Sequence, residues 1–291
     1  MGKITDEQLR IIEKFSCERL SCRPENLDLI KTFTNKRGKG LVNYLQHCAW
    51  EEDVQGVTAN YLIKSCTGEA VMFFSLKCGA LFDPLDEKTI EERTRVAQEL
   101  LQNLHKEGQE KETAVQILER VRSGRDISFD QIKRSLKTDV KRGQKILKQL
   151  NYDKTHEGNE QIIRVGHTYP AVDLVNFCSN DITKDIWKEC GIEHPMGEVM
   201  FWKYIVPIIL EVQIYIGCQY VFLFAADMSE DATLINYYNV ALKFGQPTDI
   251  STNKPQYDLC CQFMCQGIGD LKKNQEEFFN NFNPDADDVI A

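Results

Sequence analysis

Four residues at three places in this sequence have types suited to chemistry, and each also has a plainer use. Gly197 stands in the string His194-Pro195-Met196-Gly197-Glu198-Val199, just ahead of a long apolar run. A glycine turn that opens a helix exposes free backbone N–H groups at the positive end of the helix dipole, which suits a phosphate. It serves equally as an ordinary turn. Asp173 is the only acidic residue in the strand-like run 169–180 before its end. A buried carboxylate needs partners, so it is either a satisfied structural group or a group poised to take a proton. Tyr237 and Tyr238 are adjacent in a helical run. They lie about 100° apart around the axis and so cannot share one environment; the plain reading makes both of them packing residues.

Other chemistries are missing from the sequence. There is no G-x-S-x-G, Walker A, H-E-x-x-H or dinucleotide fingerprint. The five histidines are scattered without metal-ligand spacing, and the eleven cysteines contain no C-x-x-C pair. Reduced, mostly buried thiols in a cytoplasmic protein are the simplest expectation. A net charge of −9 argues against a broadly basic nucleic-acid binder. The most apolar stretch, 199–216, carries Lys203, Glu211, Gln213 and Pro207, so it reads as a buried helix and not as a membrane span.

These positions must be held by a sheet. Runs 59–66 and 70–82 read as strands joined by a hairpin turn at Thr67-Gly68-Glu69, after helical runs at the start and around 39–53. Run 169–180 is a strand, followed by the long helix ending near Gly217. Strand 219–228 leads into a helix opened by Ser229 as N-cap, and a last strand spans 257–266. That order implies an α/β or α+β fold around a mixed sheet with a parallel centre. Between the two halves, 84–160 turns dense in charged residues with apolar positions at helical spacing, which predicts a helical insertion dividing 1–83 from 161–291.

Several short strings, taken in order, resemble the GNAT superfamily of acetyl-CoA-dependent N-acetyltransferases, nearest to its toxin-type branch. They are Leu41, Tyr44, Leu45 and Ala49 before the strands NYLI and FFSL; Pro170 to Asn180; Gly197 and the helix; Phe224-Ala225-Ala226; and Tyr237-Tyr238 before Phe244. The resemblance covers roughly 15–83 and 161–268. It implies that strands 169–180 and 219–228 splay apart and that acetyl-CoA inserts between them as a missing strand. Backbone groups of Val175, Phe177 and Cys178 then hold the pantetheine arm, and His194, Met196, Gly197, Glu198, Val199 and Met200 surround the pyrophosphate. The string departs from the family's phosphate turn, because His194 replaces Gln or Arg and Val199 replaces a small residue. Lys243 likewise stands where the family has glycine. The resemblance assigns Tyr238 as the acid that protonates the leaving thiolate. Asp173 becomes the candidate base, with an ordered water relay as the alternative. Strict alternation places Asp173, Val175 and Phe177 on one face of the strand, and Leu174, Asn176 and Cys178 on the other.

The sequence thus supports two functions. One is acetyl transfer to an amine of a small molecule, a protein or an aminoacyl-tRNA; the other is a catalytically silent binding or regulatory module on the same fold. Between Arg122 and Lys148, nine basic residues, among them Lys133, Arg134, Lys137, Lys141 and Arg142, face three acidic ones. Such a segment suits RNA or an acidic partner, or is a solvated face balancing an acidic chain.

Overall fold

The computed structural model describes residues 4–84, 165–227, 229–248, 250–253 and 261–280. The basic segment around Lys133 and the rest of the expected insertion lie outside them. The chain divides into two units. One comprises Met1–Ala80, Tyr169–Pro247 and Asn253–Ala291; the other comprises Leu81–Thr168 and Thr248–Thr252. In the second, Phe82 and Ser251 exchange two backbone hydrogen bonds of 2.8 and 2.9 Å.

Among the described residues the sheet is mixed and six-stranded, in the order β1 (Ser16–Arg19), β2 (Ala59–Lys64), β3 (Ala70–Pro84), β4 (Val165–Ser179), β5 (Tyr220–Ala225), β6 (Gln262–Gly267). With its helices it makes the α+β architecture that the order of elements implies. Pairing is antiparallel for β1–β2, β2–β3 and β5–β6, and parallel for β4–β5. Side chains face outward alternately along a strand, so each sheet face takes its own core. On one face Met72, Phe74, Val172, Leu174, Val221 and Leu223 pack with the helices; on the other Leu62, Phe73 and Cys178 join a smaller cluster with Phe33 and Leu45.

Before β2 the chain folds into α1 (Asp6–Ile12), α2 (Asn26–Lys31), α3 (Lys39–His47) and α4 (Ala49–Gln55). Thr5 and Gln8 close a capping box on α1. After β4 come α5 (Lys184–Glu189) and α6, a continuous helix over Met196–Ile216 whose middle, Phe201–Ile205, is a π-helical turn. The expectation of a buried helix holds as far as Ile209. Beyond it Ile214 and Tyr215 are 80% and 77% exposed, so the last turns of α6 stand clear of the core. Then follow α7 (Thr233–Val240) and α8 (Ile268–Asn280).

Helix α7 starts later than Ser229. Its N-cap is Ala232, in the left-handed region at φ 50°, and the cap is supplied from a distance. The Asp227 carboxylate accepts from the amides of Leu234 (2.7 Å) and Ile235 (3.0 Å), while the Ser229 hydroxyl accepts from that of Thr233 (2.9 Å). The Ser229 hydroxyl donates to the Asp227 carboxylate (2.6 Å), and with the amides that also donate to it holds the carboxyl below the ordinary carboxylate range, at about 2. At the other end Lys243 carries the left-handed φ of 62° that favours glycine, consistent with the glycine that the resemblance expects there.

The α4–β2 corner is fixed by one buried carboxylate. Asp53, whose side chain is fully enclosed, accepts from Arg19 Nε (2.9 Å) and from the amides of Ser21 (2.9 Å) and Asn60 (2.7 Å). Removing it leaves three donors without an acceptor. Asp53→Ala is therefore expected to cost about 3 kcal/mol, read as a lower urea midpoint at unchanged slope.

Candidate functional site

Strands β4 and β5 pair over three positions only: Ala171 with Tyr220, Val172 with Val221, and Asp173 with Phe222. Both strands continue, β4 to Ser179 and β5 to Ala225, yet the ladder between them stops. Past Asp173, β4 therefore turns an unpaired backbone edge towards β5. Buried backbone polar groups are nearly always paired, so such an edge is a place for an extended ligand to pair.

Alternation along β4 slips once within 174–176. Leu174 belongs to the core on the helix face and Phe177 packs against that core, although the two are three residues apart. Asn176, by contrast, bonds to Ser75 on the opposite face, and Cys178 joins the cluster there. Asp173 lies on that opposite face as well, opposite Phe222 in the ladder and beside Gly79. The expected grouping of Asp173 with Phe177 is therefore corrected: the slip puts Asp173, Asn176 and Cys178 on one face and Phe177 on the other.

The helix-side wall of the opening is aromatic. Phe177 contacts Phe201 and Tyr238, with ring centroids 6.4 and 6.5 Å apart, and Tyr238 also meets Tyr237 and Phe244. Gly197 sits against this wall. A Cβ built there would lie 2.6 Å from the Tyr237 hydroxyl and 3.4 Å from Phe177, so only glycine fits. Sequence reading missed this Tyr237–Gly197 contact, because a 40-residue separation gives no local signal. Tyr238 is 8% exposed, and among the described residues its hydroxyl has no hydrogen-bond partner. Burial, with the Cys178 thiol adding to it, raises the Tyr238 phenol well above its ordinary range; burial does the same for Tyr237. Both hold their protons at neutral pH.

At the start of α6 the amides of Glu198 (3.0 Å) and Val199 (3.3 Å) donate to the Pro195 carbonyl. The amides left over by the helix are those of Met196 and Gly197. His194 Nδ1 lies 3.0 Å from the Glu198 carboxylate, both side chains being buried, and the His194 carbonyl accepts from Trp187 Nε1. Met196, Val199 and Met200 turn their side chains into the core. Val175 is half-buried on the unpaired stretch of β4.

No protein-family model matches the chain, and no curated protein sequence does. Solved structures do resemble it. A tyrosine mutant of KacT shares 10% identity at a TM-score of 0.44, covering 89% of this chain and 98% of that one. AtaTR bound with acetyl-CoA shares 8% at 0.45, covering 90% and 98%. AtaT complexed with acetyl-methionyl-tRNAfMet shares 9% at 0.44, covering 89% and 98%. At these identities and scores neither activity nor ligand carries over, and the chemistry rests on the geometry above.

Asp173 titrates unusually. Burial pushes its carboxyl from the ordinary 3.8 to about 7, against the opposing pull of Lys77. The folded state thus holds its proton more tightly than the unfolded chain does. Stability contributed by the neutral acid is full below about pH 4, falls as pH rises towards 7, and is flat above, with a slope of at most about 1.4 kcal/mol per unit. Asp173→Asn should remove that slope from urea midpoints measured between pH 4 and 8. Parallel profiles for the two proteins would show that the carboxyl ionises normally.

The aromatic wall gives a second expectation. Gly197→Ala should destabilise by about 1–3 kcal/mol through overpacking. Tyr237→Phe, by removing the oxygen that the new methyl meets, should recover part of the loss in the double variant. Strict additivity in that double-mutant cycle would show that the two positions do not touch.

Proposed function

We propose that this chain is an N-acetyltransferase that moves an acetyl group from acetyl-CoA to a primary amine. The observation that carries the reading is the parallel β4–β5 ladder that ends at Asp173 and Phe222 while both strands run on. The free edge from Leu174 to Ser179 suits the two amides of a pantetheine arm, which pair as an added strand does. The pyrophosphate falls to the Met196 and Gly197 amides at the positive end of α6.

In the transfer the amine nitrogen attacks the thioester carbonyl. A C–N bond forms and the C–S bond breaks; the amine gives up a proton and the thiolate gains one. Asp173, titrating near neutrality, is the side chain suited to take the first proton. Tyr238, buried and without a partner for its hydroxyl, is suited to give the second. The acceptor is an amine on a small molecule, a protein or an aminoacyl-tRNA. The basic residues Lys133, Arg134, Lys137, Lys141 and Arg142 favour the last of these.

A binding module without catalysis is the second reading. It is favoured by the start of α6, where a buried Glu198 carboxylate paired with His194 brings negative charge to the first turn and the Tyr237 hydroxyl lies against Gly197.

Calorimetric titration with acetyl-CoA separates the two, because the silent module predicts weak or absent binding. Given binding, Tyr238→Phe should leave it unchanged and lower turnover roughly 10²–10⁴-fold. Turnover that survives in Tyr238→Phe and collapses in Tyr237→Phe would move the acid to Tyr237; full activity in both would leave the site without a tyrosine acid.

A further inference from the structure

A buried chain of side-chain hydrogen bonds crosses three strands, and its direction can be read without ambiguity. Asn60 is fully enclosed, and its Nδ2 donates to the carbonyls of Ala49 (3.0 Å) and Thr58 (3.3 Å). Both amide hydrogens are thereby used, which fixes the flip of the amide and leaves Asn60 Oδ1 as an acceptor. The Ser75 hydroxyl, also fully enclosed, lies 2.5 Å from that oxygen and must donate to it. Ser75 Oγ is then left to accept, and Asn176 Nδ2 donates to it at 3.0 Å. The orientation of the Asn176 amide is thus imposed from two strands away. Its nitrogen faces Ser75 on β3, and its planar geometry turns Oδ1 away from β3.

Asn176 is 7% exposed, and among the described residues nothing donates to its Oδ1. The oxygen is not sealed off as those of Asn26 and Gln266 are, so it stays open to a donor entering beside β4. The residue stands on the unpaired stretch of β4, three positions past the last pair with β5, on the face that carries Asp173. Phe177, Gly197, Tyr237 and Tyr238 occupy the opposite face.

We propose that Asn176 is the positioning residue for the acceptor amine: its Oδ1, oriented by Ser75 and Asn60, accepts one N–H of a primary amine that enters on the Asp173 face. This rests on the acetyltransferase reading and adds the side of entry. An amine held by one N–H keeps its lone pair free to attack in the plane of the sheet. The proton it loses and the proton the sulfur gains are then handled on opposite faces, by Asp173 and Tyr238.

The test uses the full chain labelled with nitrogen-15, with n-butylamine as the probe amine. The side-chain NH₂ pair of Asn176 is identified by its disappearance in Asn176→Asp. Binding of CoA is measured first by calorimetry, and n-butylamine is then titrated in at saturating CoA. The expected result is a saturable shift of the Asn176 pair. In Ser75→Ala, which frees the amide to turn over, the midpoint of that shift should rise roughly threefold to tenfold, with CoA affinity unchanged. CoA that binds without any n-butylamine shift at Asn176 overturns this proposal and leaves the transferase reading intact. A shift whose midpoint is the same in Ser75→Ala overturns the role of the chain in orienting it. Failure of CoA to bind overturns the transferase reading itself.

Discussion

The parallel ladder between β4 and β5 is three residue pairs long, and the rest of the site is arranged around that short length. A parallel pair that continued would satisfy the backbone of both strands and close the sheet. Here two different constraints end it. On β4 the alternation slips at 174–176, which re-aims every side chain that follows. On β5 the strand ends at Ala225, and Asp227 then takes the chain into α7 by capping it with its own carboxylate. The opening is therefore built into the fold from both sides and does not wait on a ligand to form it.

The two sheet faces beside the opening differ in kind. The helix face offers stacked rings and phenols whose protons are held by burial. The other face offers a carboxyl near neutrality and an amide oxygen directed by a polar chain. Asp173 owes its character to this division. It sits beside Gly79 and the Phe222 ring, with Lys77 as an opposing charge, and desolvation outweighs that charge.

Much of this layout is legible in the sequence, and the parts that are not share a cause. The succession of strands and the long helix behind Gly197 follow from patterns that are local and periodic, whereas the pairing of Asp173 and Tyr238 across one opening is what the family resemblance implies and no run of the sequence spells out. Strand β1 is four residues with no alternation to read, and it exists because Ser16–Arg19 pairs with Tyr61–Lys64. The slip in β4 is invisible because period two is the only rule a strand offers. A local reading opens α7 at Ser229, whereas its cap comes from Asp227 across a turn. The contact of Tyr237 with Gly197 is tertiary and leaves no trace in spacing.

The π-helical turn at Phe201–Ile205 lets α6 carry one residue beyond a regular helix while both of its ends keep their places. A π turn holds one residue more than the α turn it replaces, so it advances everything before it around the helix by about 100° relative to everything after it. Gly197 lies before the turn and the core residues Val206 and Ile209 lie after it. Loss of a single residue within the turn would let α6 run as one regular helix with both halves still in phase and Gly197 still under Tyr237. Straightening the turn at the present residue count would instead swing Gly197 away by about 100°. The turn is the place where this helix can lose a residue without moving its ends.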